Sequence, residues 1–304
     1  MTRKARGRGF KSLRAHMMFG FPLWYGDFRK GDWEGRFRTA KEMGFDYIEL
    51  SIDYPMTRLM DPIRIAKVKE LLESTGLKLA MHFSWVQYLA DPRPEIHEGS
   101  LKYVERCMEI ARQFGPLYFV FHMYGQPGTE RFQEVHDDIV RTAIDNAGKI
   151  SSMGDMSSIP ALIENEPRVR IGTINEIGLI LEKNPGLRLC YDIGHHLRNN
   201  WELQQRGREK DASRIADWFS RFGSRLMTVH INDSVLMEGG IPRDHLPFRD
   251  GVIARQLPEI CKMIKRSSCE HITLEVFYSD PNRQAPVSDE EVKASLDTVK
   301  KAIG

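Results

Sequence analysis

Leu226-Met227-Thr228-Val229-His230-Ile231 is a short apolar run with one imidazole near its C-terminal end. A parallel strand covered by helices on both sides has no polar face, so it reads as such an uninterrupted run. Seven more runs of this kind lie along the chain, at residues 16–21, 47–50, 77–82, 118–122, 161–164, 187–192 and 271–275. Between them the apolar spacing changes to three and four. Leu101, Val104, Met108 and Ala111 form one stripe, and Ile174, Ile177 and Leu181 another. Ile215, Trp218, Phe219 and Phe222 form a third, and Val292, Leu296, Val299 and Ile303 a fourth. These are helices with one buried face. The last opens with Ser288 and Glu291, the spacing of a capping box. Ser74-Thr75-Gly76 and Asn184-Pro185-Gly186 end the helices before the third and sixth strands.

Eight strands alternating with helices in 304 residues predict an α/β fold, a single-domain (β/α)8 TIM barrel over residues 15–304 behind a basic N-terminal tail, residues 1–14. A doubly wound open sheet would need a glycine-rich phosphate turn after an early strand. Gly7-Arg8-Gly9 lies ahead of every strand, and no G-x-G-x-x-G occurs.

The charge balance of 44 Lys+Arg against 42 Asp+Glu, net +2, excludes a generally basic nucleic-acid coat. The 4 cysteines, Cys107, Cys190, Cys261 and Cys269, have no C-x-x-C spacing and are too few for a disulfide framework, so a reducing cytoplasm is expected. No apolar run reaches the roughly 20 residues of a membrane span. Basic residues from Arg3 to Arg14 precede the apolar stretch at 17–25 as in a secretory signal, but Pro22, Trp24 and Tyr25 interrupt that stretch. No motif specifies an oligomeric state.

Six strand ends carry metal-competent side chains: His82, His122, Glu164, Asp192, His230 and Glu275. In a parallel barrel all strand C-termini lie on one face, so the six converge on one mouth. Each alone reads as a hydrogen-bonded loop residue. Together they call for a cation, because burying carboxylates side by side is costly unless something neutralises them.

Met81-His82-Phe83, Phe121-His122-Met123-Tyr124-Gly125, Ile163-Glu164-Asn165, Tyr191-Asp192-Ile193-Gly194-His195, Val229-His230-Ile231-Asn232-Asp233-Ser234 and Leu274-Glu275 resemble, in order, the strand-end motifs of the xylose-isomerase-like TIM-barrel superfamily. That superfamily contains sugar and sugar-phosphate isomerases and epimerases as well as abasic-site nucleases of the endonuclease IV type. The isomerase branch implies one divalent cation (Mn, Zn, Mg or Co) held by Glu164, Asp192, His230 and Glu275. Glu164 and Glu275 are then the catalytic acid and base, moving a proton through an enediolate of a small carbohydrate, sugar phosphate or related ketone. Asn165 and Asp233 orient the ligands.

The nuclease branch implies zinc ions instead. His82, His122 and Glu164 hold one, and the four isomerase ligands hold a second. A third needs His195, His245 and an aspartate two residues before that histidine. Arg243 stands there, with Asp244 displaced by one, and its guanidinium is a candidate contact for an anionic substrate group. The stretch 244–251 resembles an isomerase-branch loop, in which Arg249 is read either as facing the mouth, a second anion contact, or as a surface arginine. Trp85 is a candidate substrate contact as a sugar wall, with loop packing and base stacking as its other readings. Glu49 is expected to end the second strand toward the mouth, in reach of a substrate hydroxyl. His16, His97, His136 and His271 read as structural, and His196 as pointing away from His195.

Three functions follow. The first is a metal-dependent isomerase or epimerase. The alternative is a zinc phosphodiesterase acting on abasic-site DNA, the one reading in which nucleic acid is a partner. The third is a catalytically silent sugar- or partner-binding barrel. None involves a membrane.

Overall fold

The computed structural model describes residues 16–24, 32–52, 56–84, 87–125, 132–166 and 171–304. Eight parallel strands close into a barrel: β1 (Met18–Leu23), β2 (Tyr47–Ile52), β3 (Lys78–Phe83), β4 (Phe119–His122), β5 (Ala161–Glu164), β6 (Arg188–Asp192), β7 (Leu226–Ile231) and β10 (His271–Leu274). They follow one another around the ring in chain order, with β10 joining β7 to β1. The eight apolar runs are these eight strands, and the TIM-barrel expectation holds. The basic tail lies outside the described residues. Among the described residues no helix is long and apolar enough to cross a membrane.

Strand parity sorts the side chains. On β4, Phe119 and Phe121 pack into the core between barrel and helices, while Val120 faces the barrel interior. On β6, Leu189 and Tyr191 face the helices and Cys190 the interior. Because the side-chain period along a strand is two, the inward positions include His122 and Asp192, and by the same count His82, Glu164 and His230. Interstrand register levels them: His122 pairs with Glu164, and Asp192 with His230. Lower in the barrel, the Tyr47 ring crosses the interior against Gly20, where a Cβ would lie 2.2 Å from the ring. Any larger residue at Gly20 would displace Tyr47.

The helix termini follow the expected chemistry. Helix α10 (Asp289–Ile303) starts with the Ser288–Glu291 capping box, and the helix Pro62–Thr75 ends on Gly76 at φ 66°. Two elements were not foreseen. Helix α7 (Ile193–Gln205) begins at the end of β6, with Asp192 as its N-cap. A hairpin of β8 (Asp233–Leu236) and β9 (Pro242–Leu246) rises beyond β7. Its strands are short and polar, so neither alternates in the way that marks a strand.

Candidate metal centre

Glu164 is the hub of the mouth. Its Oε2 lies 3.2 Å from His82 Nε2 and 3.3 Å from His122 Nε2. Its Oε1 lies 3.2 Å from His195 Nδ1 and 3.5 Å from His230 Nδ1. Glu275 Oε1 approaches the same His230 Nδ1 at 3.2 Å. Overlapping clusters, each with ligand atoms within 4.8 Å of one another, include His82/His122/Glu164, His82/His230/Glu275 and Glu164/Asp192/His195.

The outer nitrogens of these imidazoles are tied back. His82 Nδ1 lies 2.8 Å from the Phe83 carbonyl, and His122 Nδ1 lies 2.6 Å from Glu166 Oε1. A proton on the outer nitrogen would leave each Nε2 facing inward with a lone pair for an ion. Asn165 links two strand ends: its Nδ2 donates to the Asp192 carbonyl and its Oδ1 accepts from Asp192 N, both at 2.8 Å. Asp192 Oδ1 accepts from His195 N at 2.6 Å. Asp192 Oδ2 is buried with no hydrogen-bond partner among the described residues.

The electrostatics also call for a cation. Burial pushes the Asp192 carboxyl up to about 6; His195 and His245 oppose the rise, and Glu275 and Glu164 add to it. Burial likewise acts to raise Glu275, yet His230 outweighs it and brings the carboxyl down to about 2. Burial disfavours a charged His82, but the hydrogen bond and charge of Glu164 lift it to about 9. In the absence of a metal, protons on imidazole balance the crowded carboxylates. The unpartnered Asp192 oxygen, the inward nitrogens and the excess of acid all fit a divalent ion.

A cavity of about 260 Å³ opens over the cluster, with Trp24 stacked on Phe277 at 5.3 Å in its wall. The model of the xylose isomerase-like TIM barrel family matches residues 37–302. The chain belongs to this family.

Among solved structures of family-like fold, D-psicose 3-epimerase with D-tagatose from Clostridium cellulolyticum H10 superposes with a TM-score of 0.70 at 14% identity, covering 94% of this chain and 99% of that one. The 3-keto-D-glucoside 4-epimerase of E. coli superposes at 0.67 with 16% identity, covering 94% and 99%. At such identities the likeness is one of fold. A curated relative, the probable endonuclease 4 of Petrotoga mobilis, is 23% identical over 184 residues, 58% of this chain and 61% of the relative. The match thus spans about three fifths of the length of the curated relatives.

Within this family barrel, several expected contacts fall elsewhere. Arg243 pairs with Val235 across the hairpin and is not among the described residues that line the cavity. Arg249 does not face the mouth either; its guanidinium pairs with Glu291 in the first turn of α10. Asp233 does not orient the ligands. Its carboxylate accepts from the backbone N–H groups of Ser234, Arg249, Gly251 and Ala254, and so organises the loop after β9. Glu49 does not end β2, which runs on to Ile52; it lies at the cavity floor, 2% exposed. Trp85 lies outside the described residues.

Among the described residues, Arg283 brings a guanidinium to the cavity, and the sequence did not single it out. Arg283 Nη2 donates to Asp244 Oδ1 at 2.5 Å, and its guanidinium lies 5.0 Å over the Tyr278 ring. His245 adopts φ 60°, and its N–H donates to Asn232 Oδ1 at 2.9 Å. The left-handed turn breaks strand alternation, so Asp244 and His245 both join His195 in one cluster. Adjacent residues of a regular strand would diverge; here the turn at His245 overrides that. Of the residues set aside, His196 is buried against Trp218, and burial lowers it to about 4. Glu166, the partner of His122, carried no signal beyond following the Glu164-Asn165 pair.

Proposed function

We propose that this chain is a divalent-metal-dependent isomerase or epimerase of a small sugar, sugar phosphate or related ketone. The observation that carries the reading is the pair Glu164 and Glu275, whose carboxylates reach the same His230 Nδ1 from β5 and from the end of β10. Glu164, Asp192, His230 and Glu275 would hold the ion. When bound, it supplies polarisation of a substrate carbonyl and its neighbouring hydroxyl, which acidifies the C–H between them.

The protein's own groups do the rest. An Oε of one glutamate removes that proton, leaving the substrate as an enediolate. The other glutamate, entering the step protonated, gives its proton to the opposite face for epimerisation; for isomerisation the proton goes to the former carbonyl carbon while the neighbouring hydroxyl proton passes to the enediolate oxygen. The Trp24–Phe277 wall covers an apolar sugar face and excludes water. The Arg283 guanidinium is placed to contact an oxygen-rich substituent at the rim. We assign residues 15–304 to one catalytic barrel. The 4 free, buried cysteines support a reducing, cytoplasmic setting.

A second reading, a zinc phosphodiesterase acting on abasic-site DNA, is favoured by the His82/His122/Glu164 cluster beside the four-residue set. Deuterium wash-in from D₂O across common ketoses and their phosphates, followed by NMR on the manganese- or cobalt-loaded protein, tests the first reading. Exchange at the carbon beside the carbonyl supports it. Cleavage of an abasic-site duplex by the zinc-loaded protein, with no sugar exchange, replaces it by the second. Neither activity leaves a silent binding barrel.

A further inference from the structure

Beneath the mouth sits a buried carboxylate that the proposed chemistry does not use. Glu49 projects inward from β2, and three polar groups approach its carboxylate. Its Oε2 accepts from Tyr118 OH at 2.7 Å and from Thr273 Oγ1 at 2.9 Å. Its Oε1 lies 3.0 Å from His230 Nε2. His230 is fully buried, with Nδ1 turned toward Glu275 and Glu164. A carboxylate at this depth costs several kcal/mol unless donors surround it. The two hydroxyls donate to one oxygen; the other stands 3.0 Å from His230 Nε2, a buried nitrogen with no other partner among the described residues.

We propose that Glu49 is a positioning residue of the metal centre: anchored by Tyr118 and Thr273, it holds the His230 proton on Nε2 and aims the Nδ1 lone pair at the cation. This inference rests on the metal-binding reading above. An acceptor beside Nε2 sets the tautomer, because a neutral imidazole carries one proton and that nitrogen must donate it. The ring also cannot rotate away, since Glu49 is held from two further strands, β10 and the segment leading into β4.

The test is manganese binding alone, by competition with a chelator, for the full chain and for E49Q and E164Q, beside the thermal midpoint of each metal-free protein. The amide of E49Q can present N–H to His230 Nε2, which moves the imidazole proton to Nδ1 and blocks the ligand position. Affinity for E49Q should fall about 10–100-fold with the midpoint retained, while E164Q abolishes binding. Wild-type affinity in E49Q, with binding lost in E164Q, overturns the role of Glu49 and leaves the metal centre standing. No binding by the unaltered chain overturns both. Should E49Q fail to fold, long-range proton–nitrogen NMR of the zinc-loaded wild type, with isotope-labelled histidine and the His230 signal identified by its absence in H230Q, decides the matter. A proton on Nε2 supports the proposal, and a proton on Nδ1 overturns it.

Discussion

Loading the centre with a divalent ion should expel protons, and affinity should therefore climb with pH. In the metal-free protein His82 keeps its proton to about 9. His230 is also held well above the ordinary imidazole value: burial disfavours its charge, but Cys190, Glu275, Glu49 and Glu164 outweigh that cost. Above the unfolded imidazole value near 6.5, the native metal-free chain holds protons that the unfolded chain has released. This stabilisation is complete below about 6.5 and is lost as pH rises through the folded values. The ion competes for the same positions. Each displaced proton makes binding about tenfold tighter per pH unit, about 1.4 kcal/mol. Between about pH 6.5 and 8.5, each imidazole proton still held over that range and displaced by the ion adds about 100-fold to the affinity. Calorimetric titration of manganese into the stripped protein, repeated in buffers of different ionisation heat, gives affinity and proton count together. A flat affinity over that range with no proton release would refute the argument that imidazolium balances these carboxylates without metal.

Other outcomes follow from individual contacts. E164Q and E275Q should each abolish turnover while circular dichroism stays unchanged, since each loses a metal ligand together with a proton-transfer group but keeps its shape. N165A removes both hydrogen bonds that join the ends of β5 and β6 and should cost about 2–3 kcal/mol in denaturant unfolding; a loss under about 0.5 would mean that the strand ends hold without it. D233A strips the acceptor from the four N–H groups of its loop and should speed amide exchange at Gly251 and Ala254, with little change at β5. R283Q frees Asp244 beside His195 and His245, so equilibrium dialysis against zinc should show more ion bound per chain than in the wild type.

The barrel and the residues at its mouth were legible because both depend on local rules. Apolar runs of strand length mark the eight strands, and the two-residue period of a strand puts His82, Glu164 and His230 on its inward side wherever the helices cover the other. Parallel closure then brings every strand end to one rim, so Asp192 and Glu275 meet residues far away in the chain without any further signal. The partners of loop side chains follow no such period. Arg249 turns to Glu291 and not to the mouth, because a helix brought up from 42 residues away offers a carboxylate. Arg283 reaches Asp244 across 39 residues, and one left-handed residue, His245, returns Asp244 to the cluster that strand alternation would deny it. Glu49 was visible as an acid on a strand, but its partners come from three other parts of the ring and its depth is set by the closure of the barrel. Periodicity in one dimension placed the acids and imidazoles at one rim; the charge balance around them was decided only in three.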